Sequence, residues 1–241
     1  MADVTAVEAP TVKGTQPRPS DFLATNRGGG LFSEAVSQRL GSLIAFAAQR
    51  LGVSPAVLTL ANLFLGVAAS TVVIALAPGA ASGSVPAAVP GLVALLGWQL
   101  AYAFDCADGQ LARVTGRTSA AGARLDILCD VAAQTGIVAA LGATAAAYRD
   151  VPAWLVAAFA GTWMVNLVTS VMQSGAHGGT MLASRSLPVR VIKLVRDYGA
   201  VVLASSLVVL FVPQWTVVVV IAFTAVNGLF LLASIAHTAS R

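Results

Sequence analysis

The chain is poor in charge: only 10% of its 241 residues are Asp, Glu, Lys or Arg, while 57% are hydrophobic. A mean hydropathy of +0.83 lies outside the usual range of water-soluble domains and excludes that class. A net charge of +4 would suggest nucleic acid as a partner of a soluble protein, but here the basic residues are better explained by where they flank apolar segments. The sequence therefore predicts a polytopic membrane protein that does not bind nucleic acid.

The first 30 residues lack the apolar run that a signal peptide requires. They are polar and rich in proline and glycine, which predicts a flexible tail. Residues 31–50 instead carry apolar residues at helical spacing, which predicts an amphipathic helix at the membrane surface; packing against a partner helix is the alternative. The apolar positions are Phe32, Val36, Leu40, Leu43 and Ala47.

Residues 51–241 are predicted to form a membrane domain of six apolar spans, each near the length that crosses about 30 Å of hydrocarbon. The approximate spans are 56–77, 90–113, 120–147, 152–174, 198–212 and 215–236. Of the fourteen basic residues, only Arg149 falls in a connection between spans one and two, three and four, or five and six. The positive-inside rule then places the opposite side and both termini in the cytoplasm. The predicted fold is an all-α integral membrane protein of the cell membrane, with an interfacial helix before six spans.

Acidic residues are scarce too, yet four aspartates lie inside or beside apolar runs within 26 residues. A carboxylate at bilayer depth costs a few kcal/mol unless something compensates it. Asp105 and Asp108 share one face of a helix, as do Asp126 and Asp130 together with Gly122. If the two helices face each other, the carboxylates form an all-oxygen site for one or two hard cations such as Mg²⁺ or Mn²⁺.

Small and basic residues accompany the aspartates. Gly109, Ala112 and Gly122 remove side-chain bulk from the same surfaces, so a ligand can lie close to the backbone. Arg113, one turn after Gly109, adds a planar cation suited to phosphate. Since the chain has no GxGxxG, Walker or HExxH signature, other nucleotide or metalloprotease chemistry is not indicated. The combination predicts phosphoryl transfer.

The spacing of these residues resembles the complete signature of the CDP-alcohol phosphotransferase family. It reads Asp105-x2-Asp108-Gly109-x2-Ala112-Arg113-x8-Gly122-x3-Asp126-x3-Asp130. The resemblance implies a six-helix membrane enzyme of phospholipid synthesis, which transfers a phospho-alcohol group from a CDP-linked donor to an acceptor hydroxyl and releases CMP. It implies that Asp105, Asp108 and Asp126 are metal ligands for two Mg²⁺ or Mn²⁺ ions, and that Asp130 is the general base and also a metal contact.

The same resemblance assigns positions to the donor. Gly109, Ala112, Arg113 and Gly122 match nucleotide-side positions of the family, and Ser119 matches a position near the diphosphate. Thr59 follows a Ser54-Pro55 pair that is similar to the family's start of the first span, although Ala56 stands where the family often has Asn. The implied donor is CDP-diacylglycerol, and a soluble CDP-alcohol such as CDP-inositol is the alternative.

The acceptor stays open, because the stretch after the fourth span lacks the family's YxxARAE-like basic motif. A basic segment follows at 185–197. It either holds an anionic acceptor or lipid headgroup, or anchors the cytoplasmic boundary. Its cations are Arg185, Arg190, Lys193 and Arg196. Three polar residues of the later spans either line an acceptor pocket or form hydrogen bonds between spans. They are Asn166, Gln173 and Asn227.

Three further expectations concern the whole chain. A metal-coupled transporter is the alternative from another class, but transport has no use for the Gly-x2-Ala-Arg spacing. Cys106 and Cys129 are expected to be small buried thiols, since hard cations prefer oxygen and the cytoplasmic side is reducing. The family resemblance implies a homodimer, for which the small-residue-rich third and fourth spans are suited.

Overall fold

A computed structural model describes residues 17–26, 30–175 and 197–239, and every regular element in these residues is helical. The all-α prediction is therefore confirmed for them. A π-helical turn spans Ser33–Ser37, and a short 3₁₀ turn spans Pro213–Trp215. The helices are α1 Pro19–Ala24, α2 Gln38–Arg50, α3 Pro55–Ser82, α4 Ala88–Val114, α5 Ala120–Tyr148, α6 Ala153–Gly175, α7 Tyr198–Phe211 and α8 Thr216–Ala239.

Four apolar stretches in the described residues are long enough to cross a membrane. They are Pro55–Ser82, Ala88–Val114, Ala120–Tyr148 and Pro213–Leu232. Two shorter apolar stretches, Ala153–Val168 and Tyr198–Phe211, correspond to the predicted fourth and fifth spans. At 1.5 Å per residue α7 is only about 21 Å long, less than the hydrocarbon thickness. The first, second, third and sixth predicted spans are thus candidate membrane helices, and the other two stay predictions.

Large apolar side chains cover much of the outer surface of the helices. Phe64 on α3 is 72% exposed, Leu128 on α5 is 67% exposed and Leu229 on α8 is 68% exposed. Apolar surface on this scale is unfavourable in water but suits contact with lipid. The exposure therefore supports a bilayer around the bundle.

The bundle is held together by small residues where helices approach closely. A Cβ on Gly97 of α4 would lie 2.4 Å from the Cβ of Ala69 on α3, and one on Gly91 would lie 2.3 Å from the Cα of Leu210 on α7. Such contacts cannot accommodate a larger residue, and they are typical of helix packing in membranes. They fix α4 between α3 and α7.

A tight turn joins α4 to α5 and brings their aspartate-bearing ends together. Gly116 adopts a left-handed conformation with φ of 67°, which glycine tolerates without steric cost. Ser119 then caps α5, because its Oγ accepts a hydrogen bond from the Gly122 amide at 3.0 Å. Both helices pack along α3, so α3 supports both of the helices that carry the aspartates.

The segment predicted to be an amphipathic helix is helical from residue 31 to residue 50. Its small residues Gly41, Ala45 and Ala48 are buried, while Leu40 and Leu43 are 46% and 54% exposed. An exposed apolar stripe on a helix outside the bundle is what an interfacial helix needs. Its place at the membrane surface stays a prediction.

Part of the predicted tail needs correction. Residues 19–24 form α1, and its Phe22 is fully buried. The ring of Phe22 meets Phe46 of α2 edge-on at 6.5 Å. Burial of one aromatic side chain is enough to dock this short helix. The nearby prolines made the helix hard to predict from the sequence.

Candidate active site

The carboxylates of α4 and α5 converge at the ends of the two helices. One oxygen from each of Asp105, Asp108 and Asp126 lies within 4.8 Å of the others. Asp108 is 5% exposed, and the other two are half-buried. Three partly buried anions at this distance repel one another unless a cation or protons neutralise them.

Asn62 on α3 joins the fourth aspartate to this cluster. Its side-chain amide donates to Oδ1 of Asp105 and to Oδ1 of Asp130, both at 3.4 Å. Asn62 is only 4% exposed. Sequence reasoning missed it, although a polar residue three positions after Thr59 in an apolar span places both on one helix face.

Thr59 lies directly against the cluster. Its hydroxyl donates to Oδ2 of Asp108 at 2.5 Å, and the residue is 4% exposed. Thr59 was predicted on the donor side. In the structure its hydrogen bond fixes the orientation of a candidate metal ligand.

The residues fit a divalent cation. Oδ1 of Asp126 is buried and has no hydrogen-bond partner in the described part of the chain. A buried, unpaired carboxylate oxygen is costly, and oxygen is the ligand that hard cations prefer. Asp105, Asp108 and Asp126 can therefore hold such an ion, with Asp130 adjacent through Asn62.

A cavity of about 180 Å³ opens beside the α4–α5 turn, and we call it the turn-side cavity. Asp108 and Asp126 form its acidic wall. It also brings together every position that the sequence predicted for the donor. These are Thr59, Gly109, Ala112, Arg113, Ser119 and Gly122.

Gly109 leaves room for the Arg113 side chain over this cavity. A Cβ on Gly109 would lie 2.9 Å from Nη1 of Arg113, so the guanidinium folds back onto the glycine. Arg113 also interacts electrostatically with Asp126. The turn-side cavity thus combines carboxylates with two basic residues, Arg113 and Arg117, an arrangement that suits a metal-bound phosphate. Sequence reasoning had not singled out Arg117 for the donor.

A second cavity of about 210 Å³ lies on the other side of the cluster, and we call it the inner cavity. Asp105 and Asp130 line it. The remainder of its wall is mainly aromatic and amide side chains, of which sequence reasoning singled out only Asn166. Its other lining residues are Tyr102, Gln134, Trp163, Asn166, Leu167, Tyr198, Val201 and Phe223.

A buried hydrogen-bond network holds one wall of the inner cavity. Asp197, 3% exposed, accepts hydrogen bonds from the backbone amides of Phe32 and Ser33 and from the Ser33 hydroxyl. The Ser33 hydroxyl also lies 2.9 Å from the hydroxyl of Tyr102. The ring of Tyr102 in turn meets Tyr198 edge-on at 4.8 Å. The network connects the segment before α2 to the cavity.

The remaining predictions divide into confirmed and untested. Cys129 is a buried free thiol as expected, whereas the free thiol of Cys106 is only half-buried. The basic segment with Arg185, Arg190, Lys193 and Arg196 lies outside the described residues.

The sequence profile of the family described as CDP-alcohol phosphatidyltransferase matches residues 52–230, about three quarters of the chain. The matched region contains the four aspartates and every residue that lines the two cavities. A comparison with curated proteins finds no match.

Proposed function

Because the chain belongs to the CDP-alcohol phosphatidyltransferase family, we propose that it is a membrane enzyme that transfers a phosphatidyl group from CDP-diacylglycerol to an acceptor hydroxyl. The observation that carries the proposal is the carboxylate cluster that separates two cavities. One cavity has the features of a diphosphate site and the other does not. This is the arrangement that a transfer between two substrates needs.

The donor occupies the turn-side cavity. The small residues Gly109 and Gly122 leave room for a phosphate next to Asp108 and Asp126, and Arg113 supplies a cation for it. The cavity also lies at the ends of two candidate membrane helices, where lipid headgroups are found. A donor with acyl chains in the bilayer can reach this depth, which favours CDP-diacylglycerol over a soluble CDP-alcohol such as CDP-inositol.

The acceptor enters from the inner cavity, and Asp130, which lines this cavity, acts as the general base. The hydroxyl oxygen of the acceptor attacks the β-phosphorus of the donor, and the bond from that phosphorus to the CMP oxygen breaks. The hydroxyl proton passes to Asp130. Two divalent cations, Mg²⁺ or Mn²⁺, held by Asp105, Asp108 and Asp126 would neutralise the diphosphate and the departing CMP. Asn62 keeps Asp105 and Asp130 in register.

The same proposal covers the location, orientation and oligomeric state of the protein. We place the protein in the cell membrane as a multi-pass homodimer, with both termini and the turn-side cavity facing the cytoplasm, where CDP-linked donors are made. The division into an N-terminal tail that includes the docked helix α1, an interfacial helix and a membrane domain from residue 51 belongs to this proposal. The basic segment 185–197 then faces anionic headgroups or an anionic substrate at the cytoplasmic boundary.

The test is CMP release by the purified protein with Mg²⁺ or Mn²⁺, a panel of CDP-linked donors, and a panel of acceptors. Asp130→Asn should lower turnover by about 10²- to 10⁴-fold, the usual contribution of a general base. Asp150→Asn is the matched control, since Asp150 is exposed beyond the end of α5. Full turnover by Asp130→Asn would rule out the base. Cation flux in liposomes with no CMP formed would favour a transporter instead.

A further inference from the structure

The last two turns of α4 have two faces with different neighbours. Asp108, Ala112 and Arg113 on one face line the turn-side cavity. At about 100° per residue, Gln110 and Leu111 lie about 200° and 300° around the helix from Asp108. Both are buried, with 0% and 1% exposure. The face of α4 that points away from the cavity is therefore covered by other parts of the chain.

Helix α1 supplies part of this cover. Its Phe22 belongs with Leu111 of α4 to one cluster of buried side chains, which we call the rear core. The other buried members of the rear core are Ala45, Ala48, Leu58 and Ala107. The main core of the bundle is a separate cluster, with members on every helix from α3 to α8. The rear core thus joins α1 and α2 to the parts of α3 and α4 that lie next to the turn-side cavity.

Three amide side chains connect the end of α1 to the same face of α4. The side-chain nitrogen of Gln110 donates to Oδ1 of Asn26 at 2.9 Å and to the backbone carbonyl of Gln38 at 3.0 Å. The side-chain nitrogen of Asn26 donates to Oε1 of Gln38 at 2.8 Å. These bonds fix the rotation of Gln110, and with it the last turns of α4, relative to α1 and α2.

The sequence of α1 encodes its start. Pro19 occupies the first helical position, and the carboxylate of Asp21 accepts a hydrogen bond from the backbone amide of Arg18 at 2.7 Å. A helix of six residues is too short to be stable alone in water, so it depends on the docking of Phe22. Helix α1 also precedes residues 52–230, which match the family profile. Its contact with α4 is therefore a feature of this chain beyond that profile.

Taken with the proposed function, on which this inference rests, we propose that α1 is a positioning element for the CDP-linked donor. Phe22 packs in the rear core and Asn26 accepts the hydrogen bond from Gln110, so the last two turns of α4 cannot shift or rotate freely. Asp108 and Arg113 on these turns then keep their places in the turn-side cavity. Among the described residues, none from α1 lines either cavity, so α1 acts through α4 and does not touch the substrate.

Two variants of Asn26 test the amide connection. Asn26→Leu removes the oxygen that accepts from Gln110, whereas Asn26→Asp keeps it. We expect Asn26→Leu to raise the KM for CDP-diacylglycerol and the Kd for CDP by about tenfold, the lower end for residues that support a metal ligand. The Kd is measured with Mg²⁺ by titration calorimetry. Asn26→Asp should restore both constants toward wild type, and the acceptor KM should stay unchanged throughout. An equal rise in the acceptor KM would mean general loosening of the fold and would overturn the inference.

Phe22→Ala tests the rear core, with Ser20→Ala as the control on the exposed side of α1. Phe22→Ala should raise the same two constants by about tenfold, and Ser20→Ala should leave them unchanged. Asn26 is only half-buried, so its variants give the answer even if Phe22→Ala does not fold. Wild-type CDP affinity and donor KM in Asn26→Leu would overturn the inference and leave the proposed function standing. A wild-type protein that neither binds CDP nor releases CMP from any CDP-linked donor would overturn both.

Discussion

The turn-side and inner cavities share one cluster of aspartates but differ in the rest of their walls. The turn-side cavity combines small residues with Arg113, whereas the inner cavity is lined by aromatic rings and amides. All the non-acidic positions of the family motif fall on the turn side. The difference suggests that the motif specifies the CDP-linked donor, while residues outside the motif specify the acceptor.

Loss of a carboxylate from the cluster that the two cavities share should lower activity with every substrate. Asp108→Asn or Asp126→Asn removes a candidate metal ligand. Since loss of a supporting partner of a metal ligand already costs about 10–100-fold, we expect at least about 100-fold lower kcat/KM for every donor and acceptor. The measurement is CMP release at rising Mn²⁺ concentration. An effect confined to one substrate would contradict a shared site.

Asn62→Leu tests the connection to the general base. It removes the amide that donates to both Asp105 and Asp130, so we expect a loss of about 10- to 100-fold in kcat. Asn227→Leu is the control, because Asn227 donates only to the carbonyl of Phe223 in its own helix among the contacts described. Equal effects of the two variants on kcat would show that the contacts of Asn62 with Asp105 and Asp130 do not contribute to turnover.

Gly109→Ala should affect the turn-side cavity alone. The new Cβ would lie 2.9 Å from Nη1 of Arg113 and would displace the guanidinium. We expect the donor KM to rise roughly tenfold, about the value of one charge-assisted hydrogen bond, with the acceptor KM unchanged. Gly161→Ala provides the control, since among the described residues no atom beyond the adjacent backbone of its own helix lies within 4 Å of a Cβ at Gly161. A shift in the acceptor KM would mean that the cavities are not independent.

The smallest effect is expected from the network behind the inner cavity. Ser33→Ala removes a buried hydroxyl that contacts both Asp197 and Tyr102, which should cost about 1 kcal/mol. For a chain of this size the melting temperature should fall by about 2–4 °C, as measured in detergent against exposed Ser82→Ala. An unchanged melting temperature would show that the network does not stabilise the fold.

Residues that share a helix face because of their spacing could be predicted from the sequence. Asp105 and Asp108 on one helix, and Asp126 and Asp130 on the next, share faces because of spacing alone, and the turn at Gly116 lets the two helices meet. Hydropathy likewise predicted the four stretches that are long and apolar enough to cross a membrane. These local signals were enough to predict the cluster and the turn-side cavity.

Contacts that depend on how helices pack were not predictable in this way. Asn62 reaches the aspartates from a third helix, and Asp197 bonds Ser33 across 164 positions in the chain. The Trp163–Gln134 bond likewise joins two spans. No periodicity encodes which helices become neighbours, so the inner cavity became visible only in the structure.

We propose that carboxylates from α4 and α5 together hold the divalent-metal site for a CDP-linked substrate. This proposal is tested by measuring Mn²⁺ binding to the purified protein in the presence of CDP by electron paramagnetic resonance. We predict that the wild-type protein and Asp150→Asn bind Mn²⁺, and that Asp126→Asn loses at least about 100-fold in affinity. Wild-type binding by Asp126→Asn would contradict the account.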